Sequence, residues 1–155
     1  MTERLVGRRA IITGGANGLG AATAVLFAAE GAAVTLADLP RAAEQARTVI
    51  DEITAAGGAA HFVEVDVRDA EATAGAVDRA AELMGGVDAV VASAGVGAPP
   101  QANGSVRELT ALGIDGFDLV MDVNLRGVFV TCQRAAQLMI AAGHGGTIVT
   151  LASMA

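Results

Sequence analysis

Short apolar runs alternate with longer stretches of helical periodicity along the whole chain, and glycines stand at most of the junctions. That alternation is the pattern of βαβ units wound into a parallel sheet, and it restricts the fold more than any single motif. Ala10-Ile11-Ile12-Thr13 reads as a first buried strand, because a parallel strand is covered on both faces and its apolar residues need not alternate. Further strands are expected over 33–37, 61–65, 87–92 and 147–151. A first helix should run from the Gly14–Gly20 turn to about Glu30, with Gly31 placed where a left-handed C-terminal residue is wanted. A second, between Pro40 and Gly57-Gly58, carries Ala43, Ala46, Val49, Ile50 and Ile53 on one face. Asp69 is the expected N-cap of a third, ending near Met84. A long helix is expected from Asp115 to Ala142, with Phe117, Val120, Val128, Ala135 and Met139 on one stripe. Residues 96–114, with Pro99 and Pro100, read as a loop holding at most one short helix. The expected architecture is α/β, a Rossmann-like doubly wound parallel sheet of about five strands forming one domain over 1–155.

Composition narrows the function. The chain is 53% hydrophobic and 17% charged, which suits a packed core and not a disordered segment. A net charge of −7 repels phosphate backbones, so nucleic acid is not an expected partner. No apolar segment approaches the ~20 residues of a bilayer crossing, and the charged stretch Met1–Arg9 is not expected to open a secretory leader. No membrane partner is expected, and the expected location is cytoplasmic. Cys132 is the only cysteine, and neither His61 nor His144 has a second ligand at metal-site spacing, so no metal is expected. There is no Tyr, and all ten basic residues are Arg.

The candidate chemistry gathers at the ends of the expected strands. Gly14, Gly18 and Gly20 follow G-x-x-x-G-x-G spacing, letting the backbone turn tightly and approach a pyrophosphate at a helix N-terminus. Asp38, eighteen residues beyond Gly20, could accept both hydroxyl hydrogen bonds of an adenosine ribose, which favours NAD over NADP, or could merely open the next helix. Asp66 follows the third strand at the same edge and reads equally as a solvated turn carboxylate. Ala92-Ser93-Ala94-Gly95 offers small residues for close approach, of a ligand ring or of a helix. Asn124, between Val120 and Val128, would bury a carboxamide that needs partners, at a helix kink or beside a site. Ser153 stands just past the fifth strand, where a turn serine is also ordinary. Cys132 is read as a core residue.

Taken in order, Thr13-Gly14-x-x-x-Gly18-x-Gly20, Asp38, Asp66-Val67, Ser93-Ala94-Gly95, Val123-Asn124-Leu125 and Gly146-Thr147-Ile148-Val149-x-x-Ala152-Ser153 resemble the short-chain dehydrogenase/reductases, though only an N-terminal portion of a family member. The resemblance implies a seven-stranded Rossmann fold and oxidoreduction of an alcohol or carbonyl substrate with a nicotinamide cofactor. It implies that Gly14, Asn17, Gly18, Leu19 and Gly20 line the pyrophosphate, that Asp38 and Leu39 meet the adenosine ribose, and that Asp66 and Val67 border the adenine. Ala92, Ser93, Ala94 and Gly95 would lie under the nicotinamide-side ribose, where the family often has Asn-Asn-Ala-Gly; with both asparagines replaced, backbone contact is expected.

Of the family's catalytic Asn-Ser-Tyr-Lys set, Asn124 and Ser153 match. The Tyr-x-x-x-Lys motif would fall beyond residue 155. The expected reading is therefore the N-terminal fragment of an NAD-dependent dehydrogenase, inactive alone and homo-oligomeric at full length. The alternative is a non-catalytic dinucleotide-binding module or pseudoenzyme. An uncovered fifth strand should favour self-association.

Overall fold

The computed structural model describes residues 3–97 and 113–152. The elements are β1 (Arg9–Thr13), α1 (Gly18–Ala29), β2 (Ala33–Asp38), a 3₁₀ turn (Pro40–Ala42), α2 (Ala43–Ala55), β3 (Ala59–Glu64), α3 (Ala70–Met84), β4 (Ala89–Ala92), α4 (Ile114–Met121), a π-helical turn (Asp122–Gly127), α5 (Val128–Ala141) and β5 (Thr147–Thr150). The five strands form one sheet in the order β3-β2-β1-β4-β5, and every neighbouring pair is parallel.

Successive strand residues serve opposite faces of this sheet. Ile12, Val34, Leu36 and Val91 pack with Ala24 of α1 and Ala46, Val49 and Ile53 of α2. On the other face, Ile11 and Val90 pack with Val77 and Ala80 of α3 and Ala135 and Met139 of α5. Both faces are thus covered over the central strands, which is why their apolar runs are continuous. The outer strand β5 differs, since Ile148, Val149 and the following Leu151 are each about 40% exposed. Among the described residues no helix is long and apolar enough to cross a membrane.

Local signals act as the residues suggest at several ends. Asp69 accepts from the Ala72 N–H at 2.9 Å and caps α3. Gly31 and Gly85 adopt left-handed φ values of +94° and +73° where α1 and α3 stop. The expected third strand is displaced, beginning at Ala59 and ending at Glu64, because its pairing with β2 starts at Ala33↔Ala59. The fourth is shorter than expected. Val87 and Asp88 precede it, and Asp88 is used as an anchor.

The expected long helix runs without a break from Ile114 to Ala141, but not as one regular α-helix. Residues 122–127 form a π-helical turn, so the α4 and α5 stripes are out of phase; Ala135 and Met139 are buried while Phe117 is 47% exposed. Part of the loop expected over 96–114, and Ser153, lie outside the described residues.

At the amino-terminal edge the Asp88 carboxylate accepts from the Arg9 backbone N–H at 3.0 Å and from its guanidinium at 2.6 and 3.0 Å. The Asp88 main chain also bonds Arg9 and Thr147, joining the bases of β1, β4 and β5. The Arg9 guanidinium is the main reason that the Asp88 carboxyl is held below the usual carboxylate range. A depressed carboxylate adds stability above the unfolded-state pKa and loses it as pH falls through the folded value. Asp88→Asn is expected to cost about 2 kcal/mol at pH 7, below the range for a fully buried pair because Arg9 is part-exposed. The variant should also lose less stability than the parent on acidification below pH ~4. Urea unfolding at pH 7 and pH 3 checks both; equal losses on acidification would refute the assignment.

Candidate functional site

A chain that runs β1 to β3 outward and then crosses back to β4 has its topological switch between β1 and β4, and the crevice of such a sheet opens at the carboxyl ends of those strands. The turn from Gly14 to Asn17 sits there. Gly14 is left-handed at φ +66°, and a Cβ on it would lie 2.8 Å from the Ala94 Cα, so β1 and β4 approach at their ends only because that position is glycine. A Cβ on Gly20 would overlap the Gly14 carbonyl oxygen, which fixes how closely α1 returns to the turn. Gly18 is also left-handed, at φ +54°, but it faces open space.

Asn17 precedes α1 without a side-chain cap, and the first turn of the helix holds no acidic residue. Gly18 and Leu19 are exposed there. The helix start thus has no side-chain cap of its own, and an anionic diphosphate suits the partial positive charge of its free N–H groups.

The neighbouring groups are positioned by the backbone. The Gly14 N–H donates to the Ala37 carbonyl at 2.8 Å. Asp38, the last residue of β2, accepts from the Ala16 N–H at 3.0 Å and from the Leu39 N–H at 2.8 Å, so its carboxylate is pinned beside the glycine turn. It does not cap the next element; Leu39 precedes the 3₁₀ turn, and no side chain caps that turn. Asp66 lies past β3, where the Arg68 guanidinium forms an ion pair with it and, as the largest influence, lowers its pKa. Val67 is buried against the π-helical turn, since a Cβ on Gly127 would come within 2.8 Å of the Val67 side chain.

Beyond β4, whose last residue Ala92 is buried, the backbone N–H groups of Ser93 and Ala94 donate to the Thr13 hydroxyl at 3.2 and 3.3 Å. Asn124 corrects the expectation of a buried carboxamide. The π-helical turn leaves it exposed, and it grips the main chain of Val96: Oδ1 accepts the Val96 N–H and Nδ2 donates to the Val96 carbonyl, both at 2.9 Å. Gly95 lies beside it, a Cβ there being 3.5 Å from Asn124 Oδ1. The structure therefore gathers Gly14, Asn17, Gly18, Leu19, Gly20, Asp38, Leu39, Asp66, Val67, Ala92, Ser93, Ala94, Gly95 and Asn124 along one edge of the sheet. Ser153 is outside the described residues.

Thr13, quoted with the glycine motif, adds a hydroxyl acceptor at the end of β1. Two contributors carry little or no signal in the sequence. Arg68 follows Asp66 by two, a spacing that a turn brings together. Val96 carries no side-chain signal, because its backbone is what Asn124 holds. Cys132, half-buried on α5, has its thiol pKa raised by burial, in keeping with a packing role.

The short chain dehydrogenase family model matches residues 8–155. A 2,5-dichloro-2,5-cyclohexadiene-1,4-diol dehydrogenase of Sphingobium indicum is 38% identical over 154 residues, covering 99% of this chain and 58% of that protein. A short-chain type dehydrogenase/reductase from Mycobacterium marinum superposes with a TM-score of 0.88 at 35% identity, covering 99% of this chain and 58% of that one. NAD+-bound xylitol dehydrogenase superposes at 0.86 with 28% identity, covering 97% and 55%. The chain thus spans somewhat more than half the length of these relatives.

Two variants test the geometry. Gly20→Ala is expected to lower stability by about 1–3 kcal/mol, since the added methyl must push α1 off the Gly14 carbonyl; chemical denaturation reads this directly, and a neutral result would contradict the close approach. Asn124→Ala should leave the sheet intact but speed hydrogen exchange at the Val96 amide by about tenfold or more, the loss of one hydrogen bond of roughly 1 kcal/mol plus its paired partner.

Proposed function

Because the chain belongs to the short-chain dehydrogenase family, we propose that it supplies the NAD-binding part of an oxidoreductase that moves a hydride between NAD(H) and a small-molecule alcohol or carbonyl substrate. The observation that carries this reading is the glycine turn: an uncapped helix start, an open left-handed Gly18, and the Asp38 carboxylate pinned alongside by the Ala16 N–H. Gly14, Asn17, Gly18, Leu19 and Gly20 would hold the diphosphate. Asp38 and Leu39 would meet the adenosine ribose, Asp66 and Val67 the adenine, and Ala92, Ser93, Ala94 and Gly95 the nicotinamide-side ribose. The NAD+ in the xylitol dehydrogenase neighbour supports the choice of cofactor. So does Asp38, whose negative charge opposes a 2′-phosphate.

The nicotinamide supplies the hydride chemistry when bound. When an alcohol is oxidised, the carbinol C–H bond breaks with hydride departure, and the hydroxyl proton must pass to a base. Ser153 would hydrogen-bond the substrate oxygen, while Asn124 keeps the segment after β4 in place. Neither is a base at neutral pH, and the chain has no Tyr or Lys to act as one. We assign proton transfer to groups outside these 155 residues, within a cytoplasmic, homo-oligomeric full-length enzyme. General acid–base catalysis contributes ~10²–10⁴-fold, so the isolated chain should turn over little. The same composition favours a second reading, a dinucleotide-binding module without catalysis.

Fluorescence titration separates these outcomes. NADH is expected to bind in the micromolar range, with NADPH weaker by at least about tenfold, equivalent to 1.4 kcal/mol of like-charge repulsion. Asp38→Ala should narrow that difference. Equal affinity for both cofactors would remove the assigned role of Asp38, and absence of NADH binding would remove the cofactor reading. Turnover of an alcohol by the longer protein, against binding without turnover, distinguishes enzyme from module.

A further inference from the structure

Both oxygens of the Asp66 carboxylate are engaged by one neighbour. Oδ1 accepts from the Arg68 backbone N–H at 3.1 Å and from Nε at 2.9 Å, while Oδ2 accepts from Nε at 3.0 Å and from Nη2 at 2.5 Å. The single Nε proton is shared between the two oxygens, so three N–H donors use about three of the four lone-pair sites of the ionised carboxylate. An adenine amine approaching Asp66 thus meets a carboxylate whose two oxygens both already accept from Arg68.

The backbone around this pair is braced. The Asp69 N–H donates to the Asp66 carbonyl at 3.0 Å, and the Asp69 side chain caps α3. Val67, between the two partners, is buried against Gly127. The part free to move is the Arg68 side chain, which is 51% exposed. Exposed ion pairs of this kind are weakly held, so the guanidinium can leave at modest cost. Its departure leaves the carboxylate oriented, because the Arg68 backbone N–H still donates to Oδ1.

Resting on the cofactor reading above, we infer that Arg68 determines base specificity at the adenine end of the site by covering the Asp66 acceptors. With Arg68 in place, Asp66 reads a purine poorly: an exocyclic amine must compete with the guanidinium for the same oxygens, and a carbonyl at the same position meets a neutralised carboxylate and is not repelled. Without Arg68, the bare carboxylate accepts from an amine and repels a carbonyl oxygen. Arg68 is thus a specificity-determining residue that acts through Asp66.

The probes are NADH and reduced nicotinamide hypoxanthine dinucleotide, in which a carbonyl replaces the adenine amine, titrated into the full chain by fluorescence. The parent should bind the two within about twofold. Arg68→Ala should raise the preference for NADH by about two- to fivefold, the range an exposed ion pair can withhold. Arg68→Lys should fall between, since an ammonium lacks the planar fork. Asp66→Asn combined with Arg68→Ala should abolish the gain, whereas a purely structural Arg68 would weaken both ligands equally. An unchanged ratio in a folded Arg68→Ala, or in Arg68→Lys should the alanine variant not fold, overturns the inference while NADH binding stands. Absence of NADH binding to the parent removes the cofactor reading and this inference together.

Discussion

The helix α1 can begin where it does only because Gly20 has no side chain. Its backbone lies so close to the Gly14 carbonyl that a Cβ has no room, and Gly14 in turn lies against the main chain of Ala94. Three elements therefore meet within a space that holds backbone alone. The Gly14 N–H reaches across to Ala37, and the Ala16 N–H reaches Asp38, so the end of β2 is drawn into the same knot. Small residues here are a steric requirement, and the exposed helix start that they create is what makes the edge attractive to an anion.

Much of this is legible in the sequence because it depends on local rules. The glycine spacing locates the turn, the apolar runs locate the central strands, and Asp69 caps α3 as its position suggests. The family resemblance read from the ordered motifs agrees with the match over residues 8–155. Asn124 stands out as a residue in need of partners, yet its surroundings are not those that the periodicity implies. Helical periodicity assumes 3.6 residues per turn throughout, and nothing in Asp122-Val123-Asn124-Leu125-Arg126-Gly127 announces the wider turn. Gly127 carries a retrospective hint, since its missing side chain admits Val67. Strand limits also slip where register, a property of two strands together, decides them.

The two edges of the sheet are held by different physics. At the amino-terminal edge, charges are paired with charges: Asp88 answers Arg9 and fastens three strand bases. At the carboxyl edge, the polar groups of the main chain are satisfied by neutral or singly charged neighbours such as Thr13, Asp38 and Asn124. One edge thus behaves as a fastening, whereas the other keeps surfaces free to receive a ligand. Asp66 is intermediate, a carboxylate at the receiving edge that already has a cation.

The π-helical turn has a consequence for how this segment tolerates change in length. Such a turn closes its hydrogen-bonded ring with one residue more than an α-turn does. Removing one residue between 122 and 127 would let the segment close as a regular helix with α4 and α5 keeping nearly their present relative rotation, because the wider turn takes up the angle of one extra residue. The change would fall on the turn itself, whose remaining side chains would be redirected, and the carboxamide that grips Val96 would lose its aim. A deletion here would therefore tidy the helix and dismantle the site, so local regularity and function are set against each other at these six residues.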